Sequence, residues 1–181
     1  MLEKTKQAVD KQWFAIYTRS RNEKKVVAEL LEQGHEAWVP LMKTMRQWSD
    51  RKKVVEVPLF NSYIFIRAHL SNIRSIISKS DGAVYVISFS GQPAAIPDKQ
   101  IEDLKLLLGS SEKFEVSSSE FKYGDRVEVT RGSLRGLQGV FVQLKGQKRI
   151  LMHIDAINQK LLIDINPAFV KKMQPDQVDI L

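Results

Sequence analysis

Apolar and polar positions along this chain follow two rhythms, and the rhythm changes near residue 110. Trp13-Phe-Ala-Ile-Tyr-Thr18 is apolar and β-rich and reads as a strand. Val26, Val27, Leu30 and Leu31 then recur at helical spacing. Asn22 is a capping residue type ahead of them, and Gly34 is placed to end the helix. Ala37-Trp-Val-Pro-Leu-Met42 reads as a second strand, with Pro40 marking an edge or a bulge. Lys53-Val-Val-Glu-Val57 and Ser62-Tyr-Ile-Phe-Ile-Arg67 are further strands, and residues 70–79 form a short amphipathic helix. Gly82-Ala-Val-Tyr-Val-Ile-Ser-Phe89 is another strand. Pro97 opens a last helix with the apolar face Ile101, Leu104, Leu107 and Leu108. The order βα-βββ-αβ-α, with helices on one face of a largely antiparallel sheet, predicts an α+β domain over residues 12–108.

Residues 109–120 hold five Ser and a Gly with few apolar positions, and read as a flexible linker. Beyond it only strand-like runs occur, near 126–130, 138–144, 149–155, 160–165 and 168–172. That count predicts a small five-stranded all-β barrel over 121–173. Gly124-Asp125 reads as a turn and Val127 and Val129 as a half-buried strand. Gly132 and Gly136 lie in a loop, and Gly139 interrupts an apolar strand where a bulge or a close backbone approach is expected. Residues 1–11 and 174–181 read as polar tails.

Composition adds a partner class and removes several chemistries. Lys and Arg number 28 against 21 Asp and Glu, for a net charge of +7, which favours a polyanionic partner. Apolar residues at 43% imply packed cores. With no Cys, disulfides and thiolate metal sites are excluded, and a reducing, cytoplasmic setting is the default expectation. No apolar run reaches the length of a membrane span, and the polar N-terminus lacks a signal-peptide core. His35, His69 and His153 lack metal-ligand spacing, and Gly132 and Gly136 lack the Lys-Ser/Thr of a phosphate loop. The chain reads as a binding protein, not an enzyme, with neither cofactor nor metal.

Residues 121–145 resemble the KOW motif. The N-terminal features Trp13-Phe14, Trp38-Val39-Pro40, Pro58-Leu-Phe-Asn-Ser-Tyr-Ile-Phe-Ile66 and Pro93-Ala-Ala-Ile-Pro97 are similar to those of the NusG family of transcription elongation and antitermination factors. The resemblance spans residues 12–173 and is nearest to the specialised RfaH-like and UpxY-like branch, because of Leu59-Phe-Asn-Ser-Tyr-Ile-Phe-Ile66. It implies an N-terminal NusG (NGN) domain, a linker and a KOW barrel. The implied activity is processive transcription of specific long operons, such as those for surface polysaccharides. Asp81 stands where that branch carries a basic residue that reads DNA, and Arg74-Ser-Ile76 departs from its His-Thr-Thr polymerase contact.

Alternation in the strand 62–67 places Tyr63 and Phe65 on one face and Ile64 and Ile66 on the other. Helices on the Ile side leave Tyr63 and Phe65, with Tyr17 and Phe60, as an exposed apolar patch. The resemblance assigns that patch to the clamp helices of the RNA polymerase largest subunit. Arg19, Arg21, Lys24 and Lys25 cluster at a strand-to-helix junction, and Arg46, Arg51, Lys52 and Lys53 at a hairpin tip; either can neutralise phosphates. The resemblance places non-template DNA on the first cluster. It places a small-subunit ribosomal protein (NusE) or the termination factor Rho at Ile157-Asn158-Gln159, with Ile157 in a position where an aromatic anchor is expected. The alternative is an RNA-binding or ribosome-associated module with bases stacked on the aromatic sheet.

Overall fold

The computed structural model describes residues 10–47, 51–117, 124–144 and 147–173. In chain order the elements begin with β1 (Gln12–Thr18), α1 (Glu23–Glu32), β2 (Glu36–Trp38), β3 (Leu41–Gln47), β4 (Lys52–Pro58) and β5 (Tyr63–Ala68). Next come α2 (Ile73–Ser78), β6 (Ala83–Val86), β7 (Ser88–Phe89), β8 (Gln92–Pro93), β9 (Ala95–Ile96) and α3 (Asp98–Gly109). The C-terminal strands are β10 (Phe114–Ser117), β11 (Arg126–Val129), β12 (Gln138–Leu144), β13 (Gln147–Ile154), β14 (Gln159–Asp164) and β15 (Val170–Lys172). The fold is mixed α/β, mostly strands with few helices. It divides into two compact units, one of residues 1–39 and 61–96, the other of residues 40–60 and 97–181.

The first unit is an antiparallel sheet ordered β2-β5-β1-β6, with β9 also on β1. Phe14 and Ile16 of β1 face Ile66 and Ile64 of β5 across the ladder, and all four are fully buried. Val26 and Leu30 of α1 and Ile73 of α2 are buried likewise, so helical spacing and strand alternation supply one apolar core. Gly34 ends α1 at φ 79°, with the His35 amide donating back to the Leu30 carbonyl at 2.9 Å. The strand expected over 37–42 breaks at Val39-Pro40, because Pro40 cannot donate to a ladder. Leu41 instead begins a two-stranded ribbon, β3 with β4, in the second unit. The strand expected over 82–89 also divides: Ser90 and Gly91, both at positive φ, turn β7 onto β8.

The second unit holds a six-stranded antiparallel sheet ordered β10-β14-β13-β12-β11-β15. The sequence predicts five strands closed into a barrel. The sixth strand, β10, comes from within the expected linker, where Phe114 and Val116 alternate with Glu115 and Ser117, and it pairs with β14. Among the described residues β10 and β15 do not pair, so the sheet is open. Gly139 is a close approach, since a Cβ there would sit 2.7 Å from the Leu151 carbonyl oxygen and press on Ile150. Helix α3, predicted as part of the N-terminal domain, groups with this unit. Lys99 donates to Asp103 and to the Gly136 carbonyl (2.7 Å), while the Gln138 amide donates to Asp103 at 3.3 Å. Asp103 is nearly sealed from solvent, and burial pushes its carboxyl above the usual carboxylate range despite Lys99 and the Gln138 amide pulling it down.

Candidate interaction surface

The β1–β5 register sets Tyr17 opposite Tyr63, and the β1–β6 register sets Tyr17 opposite Tyr85. The three rings therefore share one face at one end of the first sheet. Tyr17 and Tyr85 stack at 5.1 Å between centroids, and Tyr17 and Tyr63 meet edge to face at 5.5 Å. Tyr85 is half exposed (51%). Burial is the main cause that holds the Tyr63 hydroxyl above its ordinary pKa, followed by the two neighbouring tyrosines. The cluster presents apolar rings with polar hydroxyl tips.

Phe60 and Phe65 differ from expectation. Phe65 has no exposure and Phe60 only 2%. Phe65 lies between strands β1 and β2, opposite Ala15 on one side and Trp38 on the other, with the Trp38 ring at 5.9 Å. The small Ala15 leaves room that Phe65 fills, so the second face of this sheet is covered at its centre and open at its tyrosine end. Tyr17 and Tyr63 remain at the surface, whereas Phe60 and Phe65 are core. Tyr85 joins the cluster through the long-range pairing of β6 with β1, which no local sequence pattern shows.

A buried carboxylate sets the entry to β5. Glu23, the first residue of α1, accepts the Ser62 amide at 2.7 Å, and the Ser62 carbonyl accepts from the Thr18 amide at 2.8 Å. Ser62 adopts φ 65°, a left-handed conformation uncommon for a non-glycine residue. The Glu23 contact thus fixes the turn that aims Tyr63.

Arg19, Arg21, Lys24 and Lys25 are brought together at the β1–α1 junction, all exposed. Arg21 takes φ 63° there. Asp81 lies among them, 3.4 Å from Arg19 and 3.2 Å from Lys25, and Lys25 also approaches Glu29 at 3.8 Å. Its hydrogen bond to Asp81 raises the Lys25 pKa. One acid thus screens two of the four cations. In the second unit, Arg46 pairs across the β3–β4 ribbon with Lys53, and Gln47 with Lys52, all of them exposed.

Ile157 is buried at the end of a 3-10 turn, Asp155–Ile157, so it belongs to the sheet's core. Asn158 follows at φ 49° and is exposed, and Gln159 is half-buried. His153 bridges Asp155 (2.7 Å) and Asn158 (3.2 Å), holding this loop.

Residues 11–105 match the family model described as "Transcription termination factor nusG". The chain belongs to the NusG family. This is a family of transcription factors rather than enzymes. The chain is similar to the NusG transcription termination/antitermination protein of Rickettsia typhi, with 21% identity and 90% of each chain covered. It is also similar to that of Streptococcus pyogenes serotype M3 (strain MGAS315), with 23% identity over 79% of this chain and 86% of the other. A solved structure titled "Domain interaction in Thermotoga maritima NusG" covers 91% of this chain and 98% of its own at TM-score 0.51 and 19% identity, a likeness of fold. Among the described residues no helix is long and apolar enough to cross a membrane.

Proposed function

We propose that this NusG-family chain is a transcription termination/antitermination factor that binds RNA polymerase and promotes processive transcription. The observation that carries this is the tyrosine cluster on a family-matched domain. It is a rigid, partly open aromatic surface of the kind that anchors protein partners. Tyr17 and Tyr63, joined by Tyr85, contact the clamp helices of the polymerase largest subunit. Phe65, buried on the same strand, supports that surface, and Phe60 is core rather than contact. Arg19, Arg21, Lys24 and Lys25 contact non-template DNA, with Asp81 limiting the affinity. The six-stranded sheet acts as the KOW module, with Ile157, Asn158 and Gln159 at the loop for a ribosomal protein (NusE) or Rho. The run Leu59–Ile66 supports an RfaH-like role on specific long operons such as those for surface polysaccharides. In a pull-down with purified RNA polymerase, wild-type chain is retained and Tyr17→Ala/Tyr63→Ala is not. Equal retention of the folded double variant contradicts the assignment.

A further inference from the structure

Helix α1 presents two chemistries on two sides. Its exposed side carries Lys24 and Lys25. Its inner side reaches the two loops from which Tyr63 and Tyr85 emerge. The Glu23 carboxylate, buried with its residue 5% exposed, accepts the Ser62 amide at 2.7 Å, one position ahead of Tyr63. The Glu29 carboxylate accepts the buried Ser80 hydroxyl at 2.8 Å, at the start of the loop that leads into β6. Between these two ties Gly82, at φ 112°, lies close against the helix. A Cβ there would sit 3.1 Å from Val26 Cγ2 and 3.3 Å from Asn22 Cβ. Tyr17 is drawn into the same frame, because the Thr18 and Arg19 amides donate to the Ser62 and Gly82 carbonyls at 2.8 Å. Three chain segments, each carrying one tyrosine, are thus held by one helix.

We infer that Glu23 and Glu29 are positioning residues for the polymerase contact, a role that rests on the reading of the tyrosine cluster as that contact. Neither carboxylate meets the partner; together they align Tyr63 and Tyr85 against Tyr17. The stack at 5.1 Å and the edge-to-face pair at 5.5 Å persist only while the three segments keep their offsets. A partner that meets a pre-aligned surface loses no affinity to ordering it. Glu23 carries the larger share. Ser62 stands at φ 65°, a conformation that a non-glycine residue keeps only where its surroundings enforce it, and the Glu23 carboxylate is the acceptor that does so. The positive end of the helix dipole also favours an acid at this first position of α1. Glu29 is less buried and is shared with Lys25 at 3.8 Å, so its share is smaller.

The test joins NMR of the free full-length chain to titration with the clamp-helix fragment of the polymerase largest subunit. In the free chain, Glu23→Ala moves the ring-proton resonances of Tyr17 and Tyr63. It also moves the Ser62 amide proton upfield, as a charge-assisted hydrogen bond is lost. Ser80→Ala removes the Glu29 bond from its other end and moves the ring resonances of Tyr85; this milder change covers the case in which Glu23→Ala fails to fold. Glu23→Ala binds the fragment about tenfold more weakly than wild type, and Ser80→Ala about threefold, the scale of one buried hydrogen bond to a charged group. Glu23→Gln keeps an acceptor oxygen and recovers most of the affinity. The two readouts separate the claims. Unmoved tyrosine rings in a folded Glu23→Ala overturn the alignment whatever binds, and moved rings with full affinity overturn the positioning role. A wild-type chain that ignores the fragment overturns the polymerase reading itself.

Discussion

Phe65→Ala separates the buried aromatics from the surface ones. The Phe65 side chain has no exposure, packs against Trp38 at 5.9 Å and fills the space left by Ala15 across the ladder. Removing it forfeits the transfer of a whole ring from water and leaves a cavity between two strands that cannot collapse. Phe→Ala at such sites costs about 3–5 kcal/mol, part of it the roughly 1 kcal/mol of an aromatic pair. Tyr63 keeps part of its ring in solvent, and Tyr63→Ala is expected to cost about 1 kcal/mol, the middle of the range for ordinary substitutions. With a urea slope of about 2 kcal/mol/M, the first variant unfolds about 1.5–2.5 M earlier than wild type and the second about 0.5 M earlier. The assay is equilibrium urea unfolding read at residue resolution in the first unit, since whole-chain signals average two units. A Phe65→Ala midpoint within about 0.5 M of wild type would refute the claim that this ring is core.

Two further outcomes are expected. Asp103 has its folded pKa raised by burial, so the fold favours its protonated form. Its stabilising contribution is full below the unfolded value of about 3.9 and is lost as pH rises through the folded value. Melting curves of wild type and Asp103→Asn recorded between about pH 4 and 7 should diverge, wild type losing stability relative to the variant as pH rises; parallel curves contradict this. Asp81→Asn removes the acid shared by Arg19 and Lys25. It should tighten binding to a single-stranded DNA oligonucleotide and steepen the salt dependence by about one unit of slope; unchanged or weaker binding contradicts the proposed DNA role of this cluster.

Much of this architecture is legible in the sequence because local patterns generate it. The Val26/Val27/Leu30 spacing gives α1, and Gly34 ends it at positive φ. Alternation in Tyr63–Ala68 correctly puts Ile64 and Ile66 on the same face. It is silent on what lies over the opposite face, and there it misleads for Phe65, which Trp38 covers from 27 residues earlier in the chain. The same limit hides Tyr85, whose place beside Tyr17 comes from a long-range pairing. Ser-rich composition suggested a linker over 109–120, yet Phe114 and Val116 are enough for a four-residue strand once β14 offers an edge. Residues 118–120 lie outside the described residues. The acidic partner of the basic cluster was visible as a departure from the family pattern. Its contacts with Arg19 and Lys25 follow from the fold, since the Arg19 amide donates to the Gly82 carbonyl at 2.8 Å and brings Asp81 alongside.

The central claim is that the tyrosine end of the first sheet receives RNA polymerase. Titration of isotope-labelled full-length chain with the coiled-coil clamp-helix fragment of the polymerase largest subunit tests it most directly. The account predicts saturable chemical-shift changes centred on Tyr17, Tyr63 and Tyr85 and lost in Tyr17→Ala/Tyr63→Ala. Absence of shifts in the wild-type chain, or shifts confined to the six-stranded sheet, would contradict it.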